Sequence, residues 1–178
     1  FAKYIFFLGK TEANEKDAIA AFEKGRDAAK IAQRIEPSKP DGHFWYGANL
    51  GELSRISPVT VGLKSVDDIR EAMNATIAIQ PDYQGASSYD ALGQLEMKTR
   101  ITGGKVDKAI GYFEKGIELE PANSNTRLHL AEAYFAADRD VDGRKKLNEL
   151  IAMKPHPSYI PEHEAAVVEA KKLLAKKS

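Results

Sequence analysis

The chain has 178 residues, 43% of them hydrophobic and 29% charged, a globular composition that excludes wholesale disorder. Its 26 Lys and Arg balance 26 Asp and Glu, so a dedicated nucleic-acid or anionic-membrane binder is not expected. Cysteine is absent, which removes disulfides, thiolate metal sites and cysteine nucleophiles.

In chain order, the pattern predicts helices near residues 1–10, 15–36, 41–54, 65–80, 86–99, 105–120, 124–138, 140–154 and 161–177. No segment alternates with period two for long enough to suggest a sheet. The opening apolar stretch Tyr4-Ile5-Phe6-Phe7-Leu8 is far short of the roughly 20 residues that cross a bilayer. It also lacks the basic start and small-residue cleavage site of a signal peptide. The chain opens on Phe1 rather than Met, so translation is expected to start upstream. Pro58, Gly103-Gly104 and the stretch from Pro155 to Pro161 read as connections. Pro161 suits the first turn of the last helix. That helix carries an apolar stripe of Val167, Ala170 and Leu174, with Lys171, Lys172, Lys176 and Lys177 on its flanks and end.

Three helix tails end alike, as Ile35-Glu36-Pro37, Ile79-Gln80-Pro81 and Leu119-Glu120-Pro121, and Met153-Lys154-Pro155 is a looser copy. The prolines are 44, 40 and 34 residues apart, and the last spacing equals the tetratricopeptide period. The rest of that pattern falls into register. Leu130, Ala131 and Tyr134 take its first-helix places in the final unit, and Gly143, Leu147 and Pro155 its second-helix places. Leu92-Gly93, Ala109, Phe113 and Pro121 do the same one unit earlier. Tyr46-Gly47 and Leu8-Gly9 mark earlier openings. Small residues let paired helices approach, large ones fill the gap, and proline stops the helix. The expected fold is an all-α, tetratricopeptide-like α-solenoid of about four helix hairpins with a C-terminal capping helix. Residues 1–178 are expected to form a single helical-repeat domain, with residues 161–177 as the cap.

A more specific resemblance lies in Phe44-Trp45-Tyr46-Gly47-Ala48-Asn49-Leu50-Gly51, the insertion with Gly62-Leu63-Lys64, and Ala78-Ile79-Gln80-Pro81-Asp82-Tyr83. With Leu92-Gly93 and the Gly-Gly insertion before Ala109, these resemble the T-component proteins of TRAP transporters. They are also similar, more distantly, to the repeat domain of regulator-of-microtubule-dynamics proteins. The first resemblance implies an exported, periplasmic or lipid-anchored repeat protein, often oligomeric, that partners a solute-binding protein.

Catalytic chemistry is hard to assemble from this sequence. His43, His129, His156 and His163 are scattered, and His156 and His163 read as solvated surface residues. Gly103-Gly104-Lys105 lacks the strand and spacing of a phosphate loop. Asp67-Asp68 and the Asp138-Arg139-Asp140 run read as helix-end caps. Asn74-Ala75-Thr76 matches a glycosylation sequon inside a predicted helix. No enzyme activity, cofactor or metal is therefore expected.

The repeat register assigns Phe6, Phe44, Asp90, Gln94, Met97, Leu128, Glu132 and Phe135 to a concave inner face. Two readings of that face are open. One is packing of the aromatics against a neighbouring helix or the cap. The other is a groove for a helix, peptide tail or apolar ligand. The expected function is a non-catalytic protein-interaction scaffold. The alternative is a carrier of an apolar small molecule or lipid held between Phe44, Met97 and Phe135. The acidic inner positions disfavour a partner's acidic C-terminus.

Overall fold

The computed structural model describes residues 1–176. They form nine α-helices and no strand, as the all-α expectation requires. The chain divides into two compact units, residues 1–83 and 84–178. Lys177, expected at the end of the last helix, lies outside the described residues.

In the first unit, α1 (Ala2–Thr11) and α2 (Glu15–Ile35) form one hairpin, and α3 (Pro40–Ile56) and α4 (Val66–Ile79) the next. Asn14 caps α2 by accepting the Lys16 N–H at 2.9 Å, which satisfies one of the donors a helix start leaves open. The short turn between the hairpins lets Pro40 open α3, where its missing N–H costs nothing. The insertion before α4 winds into a π-turn over Pro58–Gly62 and a 3₁₀ turn over Leu63–Ser65.

Close approach is what makes each hairpin. A Cβ on Gly9 would lie 2.8 Å from the Phe22 ring, so Gly9 lets α2 seat its buried Phe22 against α1. Phe22 joins Ala18 and Leu53 in one core cluster, with Phe6 packed on its edge. Gly25 plays the same part at the α2–α3 crossing, where a Cβ would run into the side-chain oxygen of Asn49. Asn49 is fully buried, and its Nδ2 donates to the Trp45 carbonyl at 2.7 Å.

In the second unit, α5 (Tyr83–Lys98) pairs with α6 (Val106–Leu119), and α7 (Ser124–Ala136) with α8 (Asp140–Ala152). The cap α9 (Ile160–Lys176) packs on α7 and α8. The start of α5 contains three left-handed residues, Gln84, Gly85 and Ala86, with φ of 50°, 64° and 56°. Only the glycine adopts this without cost. Two side chains hold the turn: Ser87 Oγ donates to the Gln84 carbonyl at 2.6 Å, and Asn123 Nδ2 to the Gly85 carbonyl at 3.0 Å. Asn123 also caps α7 through the Thr126 N–H.

Phe113 is fully buried with Ala109, Ile110, Leu130, Ala133 and Tyr134. A Cβ on Gly93 would collide with its ring. The second cluster joins Leu128, Ala131 and Phe135 of α7 to Leu147 and Leu150 of α8 and Ala166 and Ala170 of α9. Glu96, 2% exposed, ties α5 to the start of α6: it accepts the Lys105 N–H at 3.1 Å and pairs with Lys108 at 3.3 Å.

Thr76 of the sequon is buried and donates to the Ala72 carbonyl at 2.9 Å. Asn74-Ala75-Thr76 therefore sits in a packed helix rather than an open loop.

Candidate functional site

The inner-face candidates separate by unit and by burial. In the first unit, Phe6 and Phe44 flank Trp45, with ring centroids 5.4 and 5.0 Å away. Phe44 also meets Tyr83 at 5.4 Å. Trp45 is buried and Phe44 is 7% exposed. These rings therefore form an edge-to-face aromatic core.

In the second unit, Leu128 and Phe135 are core residues under the cap. A Cβ on Gly143 would stand 2.8 Å from the Phe135 ring. Met97 packs instead on the separate cluster around Phe113. Met97 and Phe135 therefore serve two different cores and do not share a chamber. Phe44 and Phe135 belong to the packing of their own units, and the register alone cannot reveal that α9 covers Leu128 and Phe135.

In the second unit Met97 stays half-buried, and the other accessible candidates, Asp90, Gln94 and Glu132, are polar. Gln94 Nε2 donates to Asp90 Oδ2 at 2.8 Å, one turn along α5. Asp90 Oδ1 lies 2.7 Å from His129 Nδ1 on α7. The His129 side chain is 24% exposed and that of Asp90 14%, while Glu132 one turn further along α7 is exposed. The Phe113 ring lies 6.0 Å from the imidazole, tilted against it. Asp90, Gln94 and Glu132 were identifiable from the register. His129 was not, because the histidines look scattered and nothing local ties residue 129 to residue 90. The signal present was its place three residues before Glu132 on the same helix face.

Burial works to lower the pKa of His129. The charge of Asp90 and its hydrogen bond, helped by Glu132, outweigh both burial and the opposing charge of Lys98. The imidazolium is thus favoured above its ordinary value of 6.5 and donates Nδ1–H to the carboxylate. Because the folded-state pKa is raised, the added stability is fully present below that ordinary value. It is lost as pH rises through the folded-state pKa. Unfolding midpoints in urea should therefore fall between about pH 5.5 and about pH 9 by more in the parent chain than in Asp90→Asn. At the lower pH Asp90→Asn should cost about 1–3 kcal/mol, the worth of a hydrogen bond to a charged group. Equal slopes in the two proteins would show that the pair is not coupled to folding.

His163, expected at the surface, is 7% exposed, and its Nδ1 lies 2.9 Å from Ser124 Oγ. It anchors the cap to the first turn of α7. His43 sits in the first turn of α3, its Nε2 2.9 Å from the Pro37 carbonyl, and so serves the helix start. Among the described residues no three His, Asp or Glu side chains converge as a metal set, and no helix is long and apolar enough to cross a membrane.

A tetratricopeptide-repeat family model matches residues 101–160, which spans α6, α7, α8 and the start of the cap. No curated protein matches the chain in sequence. Among solved structures, the crystal structure of MamA is similar over 98% of this chain and 81% of its own, at 17% identity and a TM-score of 0.47. The matched model describes a repeat, not an enzyme. The helices, their small-to-large packing pairs and the matched segment make this an all-α, tetratricopeptide-like helical-repeat chain.

Proposed function

We propose that this chain is a protein-interaction scaffold that recognises its partner through the polar α5–α7 seam. The observation that carries the reading is the fixed Gln94–Asp90–His129 chain beside exposed Glu132. Hydrogen bonds hold these side chains in place, so binding would order little that is not already ordered, which lowers its entropic cost. The seam carries more acid than base, and it suits a partner segment bearing Lys or Arg.

The run that carries the T-component resemblance is mostly interior. Phe44, Trp45, Gly47, Asn49 and Leu50 are all buried. It reports how hairpins pack, and no observation of this structure favours a solute-binding protein over another partner. The apolar-carrier reading loses its support in the same way, because Phe44, Leu128 and Phe135 are core residues.

The test is an affinity measurement with the co-purifying protein identified by mass spectrometry. Glu132→Lys, an exposed change with little effect on folding, should weaken that complex by about tenfold or more, as charge reversal at a seam contact does. Lys115→Glu on the α6 surface should not weaken it. A complex insensitive to Glu132→Lys would remove the seam as the recognition surface.

A further inference from the structure

The first unit holds a cleft of about 380 Å³ between α2, α3 and the start of α4. That volume lies within the range of small-molecule sites. Leu50 and Val61 give it an apolar floor beside the Tyr46 ring, and Arg26, Lys30 and Lys64 stand around it. We propose that this cleft is an oxyanion site, taking the carboxylate or phosphate of a ligand whose apolar body rests on Leu50 and Val61.

The charge arrangement supports that class of ligand. The cleft also contains two carboxylates, and both are engaged. Asp27 accepts from Arg26 Nε at 2.8 Å, and Asp68 accepts from the Tyr46 hydroxyl at 3.3 Å. Lys30 and Lys64 form no ion pair among the described residues, and the two Nη groups of Arg26 have no partner there. Two ammonium groups and one half-used guanidinium are therefore left facing one cleft. Ser65 also lines it. Its residue is 6% exposed, and its hydroxyl neither caps α4 nor has another partner among the described residues. That hydroxyl is not sealed from solvent, so a bound oxyanion can reach it and accept from it. Charge-assisted bonds to Lys and Arg then supply most of the affinity.

Titration of the full ¹⁵N-labelled chain at fixed ionic strength tests this. The probes are phenyl phosphate, N-acetylphenylalanine and N-acetylphenylalaninamide. At least one of the two oxyanions should give saturable shifts at the Tyr46 and Ser65 amides, and the neutral amide none. Response to phenyl phosphate alone would assign a phosphorylated ligand, and to N-acetylphenylalanine alone a carboxylate such as a peptide end. Lys30→Gln, an exposed change on α2, and Lys30→Gln/Lys64→Gln should weaken binding progressively, the pair by about tenfold or more. Ser65→Ala should also weaken it. Lys24→Gln/Lys145→Gln, which removes the same charge elsewhere, should leave it intact. Absence of saturable shifts with either oxyanion, shifts confined to other helices, or equal losses in the Lys24/Lys145 control would overturn the assignment.

Discussion

Phe113→Ala should lose about 3–5 kcal/mol of unfolding free energy, the cost of emptying a fully enclosed aromatic site. The side chain is completely buried and fills the space between α5, α6 and α7. The informative partner is Gly93. Gly93→Ala improves helix propensity by about 0.8–1 kcal/mol, yet its methyl would strike the Phe113 ring. A clash of this kind costs about 1–3 kcal/mol, so the single change should be neutral to destabilising. In the Phe113→Ala background the obstacle is gone, and Gly93→Ala should become stabilising. Chemical denaturation of the four proteins measures this cycle. Additive effects would mean that the small-to-large pair does not set the hairpin spacing.

Ala170→Asp should cost about 3 kcal/mol or more, because it places a charge where no water or partner reaches. Ala170 is fully buried and belongs to the cluster that holds Leu128, Phe135, Leu147 and Leu150. The expected consequence is release of α9 before the rest of the second unit opens. Amide exchange should rise first over residues 160–176 and then over α7. His163→Ala should act in the same direction but less strongly, since it removes only the bond to Ser124. A Phe135 that stays protected when Ala170→Asp unfolds α9 would show that the cap does not cover it.

The helices were largely readable from sequence because their ends carry strong local chemistry. Proline after Ile35-Glu36, Ile79-Gln80 and Leu119-Glu120 stops a helix whatever surrounds it, and the observed ends fall at Ile35, Ile79 and Leu119. Gly9, Gly93 and Phe113 were likewise readable, because a repeat has to leave room for its partner helix. The site was less so. Register specifies which face of a helix a residue occupies, and it assigned Asp90, Gln94 and Glu132 to the same stripe as Leu128 and Phe135. It does not specify what lies above that face. The cap reaches α7 through pairs as distant as Ser124 and His163, 39 residues apart. Such contacts leave no periodic trace, so buried and open positions of one stripe look alike. The bond between Asp90 and His129, also 39 residues apart, was hidden for the same reason.

Recognition through the α5–α7 seam is tested most directly by hydrogen–deuterium exchange on the chain alone and in complex with its identified partner. The seam reading expects added protection over residues 87–98 of α5 and 126–133 of α7, with α6 and α8 unchanged. Protection confined to α6 and α8, with the seam exchanging as in the free chain, would contradict it.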